Sequence, residues 1–323
     1  MPSLGLYSYD VFFAFGGSST EFAFNTKTSG WVAMLANKYS RRIDVINRGF
    51  AGFNSRWAKS IFFNSFPKTV KNESEIPLCK PDTSSIKQSM PDTESSAHNL
   101  ILKTMGPNRP AKVKLVTIFL GVNDAAMEGY PAHVPLAEFH QNLLSMIDHL
   151  ADPNSEYYSP EIKFILITPP PLSEPMWART VKKQNAPMDR SEENAKLYAE
   201  EVIKVGKKRN IPVVDVFTRI KNEINEIQAK QAEINALTNG TTCTGSRMVE
   251  DNLRWFGYDQ FFYDGLHFNA NGNTILFEML YETIITNYPD LVPWKLPKFV
   301  PSVAEVMSLE KKLKAVKSIR SRL

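Results

Sequence analysis

Residues 10–24 read D-V-F-F-A-F-G-G-S-S-T-E-F-A-F, and the fold prediction starts from this stretch. It opens with a short run of β-branched and aromatic residues, 11–15, that stops at two glycines. Such a run predicts a buried strand that enters a tight turn. Small polar residues beyond the carboxyl end of a first strand occupy the usual ligand crevice of an open α/β sheet. A serine in this turn can be exposed, with free backbone N–H groups beside it.

Three later stretches each follow or end an apolar segment. They read N-R-G-F-A-G-F-N-S-R at 47–56, I-F-L-G-V-N-D-A at 118–125 and Y-D-G-L-H-F-N-A-N-G at 263–272. With the first stretch they place Gly-x-Ser, a glycine, Gly-x-Asn-Asp and Asp-x-x-His in this order along the chain. Each stretch supplies a different part for acyl transfer.

These four ordered motifs resemble those of the SGNH, or GDSL, hydrolases. F-G-G-S-S-T-E-F-A-F, R-G-F-A-G-F-N-S-R-W-A, T-I-F-L-G-V-N-D-A and D-G-L-H-F are most similar to the group of isoamyl-acetate-hydrolysing esterases. The resemblance covers the chain from Val11 to about Pro293. It implies a serine esterase with a flavodoxin-like sheet in the strand order 2-1-3-4-5.

Apolar runs alternate with amphipathic segments five times along the chain. Strands are predicted at 11–15, 43–46, 113–120, 162–168 and 211–217, and a loop near the site is predicted at 175–187. The alternation predicts an α/β fold: a doubly wound, three-layer sandwich with a five-stranded parallel sheet. We expect one hydrolase domain over 1–293. A polar insertion at about 67–110 is interpreted either as a surface loop or as a lid over the site.

Ser18 is the predicted nucleophile. A serine hydroxyl needs a base, and His267 is the best candidate among five histidines, since His98, His133, His140 and His149 lie in polar or amphipathic segments. Asp264, three residues before His267, could orient the imidazole and stabilise its protonated form. Ser19 is a rival nucleophile, but the resemblance favours Ser18, because the family's spacing to Thr20 and Glu21 fixes the register.

The resemblance implies an oxyanion hole made of the backbone N–H of Ser18, the backbone N–H of Gly52 and the side-chain amide of Asn123. Asp124 is interpreted as structural, as a cap for the segment that follows it. Glu21 and Arg56 are candidates for residues that contact and position the site residues without acting on the substrate themselves.

The sequence departs from the family pattern at Gly17, where the family usually has Asp before the nucleophile. That Asp is not the acid of the triad, so the triad is formally intact. Its loss removes a side-chain hydrogen bond and adds backbone freedom, which could loosen the turn.

The composition is that of an ordinary globular protein, with 43% hydrophobic and 22% charged residues among 323. No apolar stretch is long enough to span a bilayer, and the run at 11–15 is too short for a signal peptide, so we expect no stable membrane insertion. Cys79 and Cys243 lie far apart in polar segments, which argues against a disulfide framework and fits a reducing compartment.

The formal net charge of +4 is unevenly distributed, because six of the 38 basic residues lie between Lys311 and Arg322. The body of the chain is therefore nearly neutral, and we expect no nucleic-acid surface. The sequence contains no Walker loop, no dinucleotide fingerprint and no helical pair of metal-binding histidines. No cofactor and no metal are expected.

Residues 294–323 are predicted to form a C-terminal extension beyond the core. Four apolar residues with lysines between them have helical spacing: Val306, Leu309, Leu313 and Val316. The stripe fits a solvated helix resting on the body or a helix at a membrane surface.

The last three residues, Ser321, Arg322 and Leu323, resemble the S-K-L peroxisomal address. They predict recognition by a peroxisomal import receptor and a peroxisomal location; without that address we expect a cytoplasmic one. In a peroxisome, longer acyl esters or acyl thioesters become candidate substrates.

The sequence thus predicts an esterase that hydrolyses small carboxylic esters, such as acetates, through an acyl-enzyme on Ser18. Two alternatives stay open. An alcohol could resolve the same acyl-enzyme, which would make the protein an acyltransferase. Gly17 could also have weakened catalysis and left a protein that binds acyl ligands.

Overall fold

The structure is a computed structural model that describes residues 9–66, 68, 111–237, 255–298, 302–308 and 311–312. Its strands are β1 (Val11–Gly16), β2 (Asp44–Gly49), β3 (Val113–Phe119), β4 (Lys163–Ile167) and β5 (Val213–Val214). They form one sheet in the order β2-β1-β3-β4-β5, and all neighbouring pairs are parallel. This order confirms the predicted doubly wound, flavodoxin-like sheet.

Helices alternate with these strands. In the described part of the chain they are α1 (Ser18–Glu21), α2 (Trp31–Lys38), α3 (Ser55–Phe63), α4 (Leu136–Ala151), α5 (Glu174–Lys183), α6 (Glu192–Arg209), α7 (Val216–Leu237) and α8 (Ala270–Asn287). Two short 3-10 turns, Phe22–Phe24 and Thr26–Thr28, join α1 to α2.

The two faces of the sheet carry separate apolar cores because successive strand residues point to opposite faces. On one face, Phe12 and Ala14 of β1 pack with residues of α2, α7 and α8. On the other face, Phe13 and Phe15 pack with residues of α3, α4 and α6. The strand β1 is therefore buried on both sides, and its carboxyl end is held firmly where the chain turns toward Ser18.

The prediction of a loop over 175–187 is wrong, because helix α5 occupies most of this segment. Pro175 misled the prediction, yet it lies in the first turn of α5. Proline is tolerated there, since the N–H groups of a first helical turn have no partner within the helix. Helix α5 packs near the site, as shown below.

The fifth strand is much shorter than the predicted 211–217. Pro212 cannot donate a backbone hydrogen bond to a neighbouring strand. On the other side, Asp215 Oδ1 accepts from the N–H of Thr218 at 3.1 Å, and Thr168 Oγ1 accepts from the N–H of Phe217 at 3.1 Å. These side-chain hydrogen bonds begin α7 at Val216. The last residues of the apolar run that predicts a strand are therefore helical.

Several predictions fall on residues outside the described part. These are the polar insertion at 67–110 apart from Lys68, both cysteines, His98 and the terminal tripeptide. In the described part of the extension, Leu296 packs against the apolar core of the α8 face, and residues 303–308 are helical. No helix among the described residues is both long enough and apolar enough to cross a membrane.

Candidate active site

The turn after β1 presents Ser18 at the carboxyl edge of the sheet. The N–H of Gly17 donates to the carbonyl oxygen of Phe119 on β3 at 3.3 Å. The carbonyl oxygen of Gly17 accepts from the N–H groups of Thr20 and Glu21 at 3.0 and 2.9 Å. Ser18 follows as the first residue of α1 and keeps 7% of its surface exposed.

Gly16, the last residue of β1, is required by close packing. A Cβ at this position would lie 2.3 Å from Oγ1 of Thr20 and 2.5 Å from the carbonyl oxygen of Phe119. Real Cβ atoms do not approach other atoms so closely. A glycine here lets α1 begin directly against β3, which brings the nucleophile turn next to the loop after β3.

Ser18, His267 and Asp264 form one continuous hydrogen-bonded chain. The Oγ of Ser18 lies 3.0 Å from Nε2 of His267. The Nδ1 of His267 lies 2.7 Å from Oδ2 of Asp264. A neutral imidazole whose Nδ1–H donates to the carboxylate has Nε2 free to accept the hydroxyl proton. The fold brings these three side chains together across 249 positions of sequence.

The Asp264 carboxylate is held by its own loop. Its Oδ1 accepts from the backbone N–H groups of Leu266 and His267 at 2.9 and 2.7 Å. Burial raises the pKa of Asp264, but the hydrogen bonds and charge of His267 and the backbone N–H groups outweigh burial, so the pKa lies below its ordinary value. The carboxyl group is therefore ionised at neutral pH and can stabilise an imidazolium.

The loop that carries Asp264 and His267 turns tightly against α5. Gly265 has a φ of +93°, and a Cβ there would lie 2.7 Å from the carbonyl oxygen of Ser173. Thr180 of α5 donates its hydroxyl to the carbonyl oxygen of Asp264 at 3.3 Å. The helix that sequence reasoning missed thus supports the candidate acid and the candidate base.

The side chain of Asn123 lies on the other side of Ser18. Its Nδ2 donates to the carbonyl oxygen of Phe53 at 2.9 Å. The same nitrogen would lie 3.4 Å from a Cβ placed on Gly17, so the amide is beside the nucleophile turn. The amide can therefore offer an N–H donor close to Ser18.

Gly52 lies in the loop after β2 with a φ of +80°, a conformation that glycine adopts without strain. Glu21 holds this loop, since its Oε2 accepts from the N–H of Ala51 at 2.5 Å. Within the described residues, no acceptor takes the backbone N–H of Gly52 or of Ser18. Both N–H groups are thus available to a ligand.

Two cavities of very different size adjoin Ser18. The larger, about 460 Å³, lies on the His267 side. Its wall includes Phe22, Phe268 and Tyr263. The smaller, about 10 Å³, lies on the Asn123 side and has room for about one water-sized group.

Aromatic rings surround the imidazole of His267. The ring of Tyr263 is stacked on it at 5.7 Å between centroids, and Phe22 and Trp177 lie at 5.8 and 6.3 Å. Phe22 and Tyr263 are 46% and 57% exposed, so they border the opening of the larger cavity. Three other aromatic residues shortly before Asp264 belong to the apolar core on the α8 face: Tyr258, Phe261 and Phe262.

Asp124 does not cap the segment that follows it. Its Oδ1 accepts from the backbone N–H of Ser55 at 2.8 Å, which places the carboxylate at the start of the earlier helix α3. The reason is topological: β3 lies beside β1, and the loop after β2 comes back to this edge. Burial raises the pKa of Asp124 to about 6, although hydrogen bonds from Ser55 act in the opposite direction.

The other candidate residues occupy different positions. Arg56 forms a two-point ion pair with Glu138 on the surface, with both N–O distances at 2.6 Å, rather than supporting the site. His133 and His140 bond to the carbonyl oxygen of Ala126 and to the carboxylate of Glu201. His149 lies against the rings of Phe63 and Tyr157. In the described ranges, no cluster of three or more His, Cys, Asp and Glu side chains could hold a metal ion.

Sequence reasoning missed Arg190 and Trp177. Arg190 donates to the side chain of Asn123, and Trp177 packs near His267. Neither residue belongs to a recognisable motif, and both lie in or after the segment that reads as a loop. A buried arginine is rare, so only its burial, which the structure reveals, marks it as special.

Comparison with known proteins identifies the family. The family model described as GDSL-like Lipase/Acylhydrolase matches residues 12–280. The Isoamyl acetate-hydrolyzing esterase 1 homolog of Bos taurus is 28% identical over 285 residues, covering 87% of this chain and 84% of that protein. The Isoamyl acetate-hydrolyzing esterase of Saccharomyces cerevisiae is 27% identical over 293 residues, covering 88% and 90%.

Solved structures of similar fold include a lipase/acylhydrolase from Enterococcus faecalis, with a TM-score of 0.45 and 18% identity over 90% of this chain and 98% of that one. The family match covers well over half of the sequence and includes all four motifs. The chain therefore belongs to the GDSL-like lipase/acylhydrolase family and is a carboxylic ester hydrolase.

Proposed function

We propose that this protein is a serine esterase that cleaves small carboxylic esters through an acyl-enzyme on Ser18. The observation that carries the proposal is the hydrogen-bonded chain Ser18–His267–Asp264, with distances of 3.0 and 2.7 Å. A nucleophile, a base and a group that orients the base are the parts that acyl transfer requires.

In the first half-reaction, Nε2 of His267 accepts the proton of Ser18 while Oγ attacks the ester carbonyl carbon. The tetrahedral intermediate collapses, the bond to the alkoxide breaks, and the imidazolium returns the proton to the leaving alcohol. In the second half, water attacks the acyl-enzyme by the same route and releases the carboxylic acid. Asp264 stays ionised throughout and stabilises the imidazolium.

The oxyanion of each intermediate is bound by the backbone N–H groups of Ser18 and Gly52 and by Nδ2 of Asn123. Two features support this assignment. Both backbone N–H groups are free of acceptors among the described residues, and the amide lies beside the nucleophile turn. Donors already in place cost no reorganisation when negative charge develops on the carbonyl oxygen.

The two cavities support a proposal for the substrate class. His267 must protonate the leaving alcohol, so the alcohol occupies the larger cavity beside this residue, walled in part by apolar and aromatic side chains. The small cavity, lined in part by Ser18 and Asn123, has room for little more than the carbonyl oxygen, which favours a short acyl group. Acetate-type esters of larger apolar alcohols are therefore the proposed substrates, and the names of the two relatives above agree with this class.

A labelling experiment tests the proposal. The purified protein, Ser18→Ala and Ser19→Ala are each incubated with a fluorophosphonate probe and with nitrophenyl esters of two, four and eight acyl carbons. We expect labelling and turnover to be lost only in Ser18→Ala, and turnover by the active proteins to fall with acyl length. Ser19 is the matched control, because its hydroxyl is buried and makes no hydrogen bond to His267.

Two results would contradict the proposal. Labelling that persists in Ser18→Ala and disappears in Ser19→Ala would mean that Ser19 is the nucleophile. No labelling and no turnover by the unmutated protein would favour the acyl-binding alternative. Adding alcohols to the active protein and measuring transesterified product against free acid separates hydrolase from acyltransferase activity.

The peroxisomal location is a separate proposal, carried by Ser321–Leu323 alone. Expression with a fluorescent protein fused before Met1 leaves this tripeptide at the C-terminus. We expect punctate fluorescence that overlaps a peroxisomal marker and becomes diffuse when the three residues are deleted. Diffuse fluorescence in both cases would contradict the peroxisomal location and would remove the reason to propose longer acyl substrates.

A further inference from the structure

Arg190 contacts Asn123, a candidate donor of the oxyanion hole, at the oxygen end of its side-chain amide. It is 8% exposed, and its guanidinium donates through one nitrogen to Oδ1 of Asn123 at 2.9 Å. Another guanidinium nitrogen donates to the carbonyl oxygen of Val122, the preceding residue. One side chain therefore holds both the backbone and the amide of the loop that follows β3.

The chemistry of these contacts determines which way the Asn123 amide points. A guanidinium has only donors, whereas an amide has one acceptor end and one donor end. The end that faces Arg190 must therefore be the oxygen, Oδ1. The nitrogen is then directed to the opposite side, where it donates to Phe53 and lies next to Gly17.

Arg190 is itself anchored by its surroundings. Its backbone forms an isolated antiparallel bridge with Ala126. Its Nε lies 3.6 Å from Oδ2 of Asp189, and Oδ1 of Asp189 accepts from Nε1 of Trp177 at 2.8 Å. The guanidinium lies 5.7 Å from the ring centroid of Trp177. The backbone bridge does not depend on the side chain, so a substitution of Arg190 leaves this tether in place.

We propose that Arg190 is a positioning residue: it fixes the orientation of the Asn123 amide and so keeps its N–H donor aimed at the oxyanion. Without Arg190, Oδ1 of Asn123 loses its partner, and only the bond from Nδ2 to the carbonyl oxygen of Phe53 still holds the amide, so rotation by a half-turn becomes easier. Such a rotation would direct the carbonyl oxygen at the developing negative charge, which is repulsive. The inference rests on the proposed function.

A double-mutant cycle tests it. The kinetic parameters kcat and KM for nitrophenyl acetate are measured for the unmutated protein, Arg190→Gln, Asn123→Ala and the double variant. We expect Arg190→Gln to lower kcat about 10- to 100-fold with KM nearly unchanged, because an oxyanion donor is worth about 10²- to 10³-fold. In the Asn123→Ala background the same substitution should change kcat less than about twofold, since the amide is already gone.

Two further variants make the result interpretable. Arg190→Lys keeps the charge and one donor nitrogen, so it should recover part of the lost kcat. Arg56→Gln is the matched control, because this arginine is also paired but lies on the surface; its kcat should stay unchanged. An unchanged kcat in Arg190→Gln, or an equal loss in both backgrounds, would overturn the proposal.

A readout that needs no turnover separates this inference from the esterase proposal. In ¹⁵N-labelled protein, the side-chain NH₂ signal of Asn123 is identified by its loss in Asn123→Ala. We expect this signal to shift or broaden in Arg190→Gln and to return toward its original position in Arg190→Lys. An unmoved signal would overturn the positioning role, whereas lack of turnover by the unmutated protein would overturn only the proposed function. If Arg190→Gln does not fold, Arg190→Met, which keeps an unbranched side chain without a hydrogen-bond donor, takes its place, and an unmoved signal with an unchanged kcat again overturns the role.

Discussion

The two sides of Ser18 differ in packing, polarity and room. On the Asn123 side, the polar groups are buried and tied to one another, and the space is about 10 Å³. On the His267 side, half-exposed aromatic rings border a cavity of about 460 Å³. A fixed, buried arrangement suits the binding of a developing charge, because its donors do not reorganise.

The open side has a different task. Apolar walls bind a group by burial, which depends on area and tolerates different shapes. In the proposed mechanism the site is divided between two tasks: the closed side sets the chemistry of the carbonyl group, and the open side selects the alcohol. Each of the following predictions tests this division.

The largest effect is expected from His267→Gln, which removes the base from the open side. We expect kcat for nitrophenyl acetate to fall about 10⁴-fold, because Ser18 then has no proton acceptor. His140→Gln is the control, since His140 pairs with Glu201 away from the site. A loss of less than tenfold in His267→Gln would mean that another group accepts the proton.

Asn123→Ala should have the next largest effect and should break the closed side alone. We expect kcat to fall about 10²- to 10³-fold with little change in KM, because the donor acts on the transition state. Asn25, which lines the larger cavity, is the matched control. Asn25→Ala should change KM more than kcat, and the reverse pattern for the two variants would contradict the division.

The carboxyl groups on the two sides should also contribute to folding stability with opposite dependence on pH. Asp124, on the closed side, has a pKa of about 6 when folded, above its ordinary value when unfolded. The folded state binds more protons between about pH 4 and 6, so stability falls as the pH rises through this window. Asp124→Asn should remove this slope and should be less destabilised at pH 7 than at pH 4, by up to about 3 kcal/mol.

Asp264, on the open side, has a folded pKa below its unfolded one. Its contribution to stability is present above the unfolded pKa and is lost as the pH falls through the folded pKa. Asp264→Asn should therefore lose stability at neutral pH relative to acidic pH. Urea unfolding between pH 3 and 8 measures the free energy of unfolding that each substitution removes. If this loss changed with pH in the same direction for Asp124→Asn and Asp264→Asn, the prediction would be contradicted.

Phe22→Ala should sharpen the description of the open side. Phe22 borders the larger cavity, so its removal should lower kcat/KM for acetates of five-carbon alcohols about 3- to 10-fold and leave ethyl acetate nearly unchanged. Phe24 is equally exposed, at 45%, but does not line the cavity. An equal effect of Phe24→Ala would show that the loss does not come from the cavity wall.

The smallest effect is expected from Gly17→Asp, which restores the residue that the family usually has. The φ of Gly17 is −90°, which does not require glycine, and its carbonyl oxygen already holds the turn. A Cβ would meet Asn123 at 3.4 Å, which is ordinary contact. We expect kcat to change less than about tenfold. A much larger gain would show that Gly17 weakens the turn.

Most of the sheet was predictable because buried parallel strands are near-continuous apolar runs that end at glycine or proline. The predictions failed where side chains compete with backbone pairing. Asp215 and Thr168 convert the end of the fifth apolar run into helix, and Pro175 opens a helix rather than preventing one. The bond between Thr168 and Phe217 joins residues 49 positions apart, so a local sequence pattern does not reveal it.

The sequence by itself determined the candidate nucleophile, base and acid, because Ser18, Asp264 and His267 lie in motifs with fixed local spacing. Only the tertiary structure decided how these groups are supported. Arg190 reaches Asn123 across 67 positions, and α5 supports Asp264 across 84. The physical reason is that motifs report local backbone geometry, whereas burial, electrostatic environment and cavity size arise from packing between distant segments.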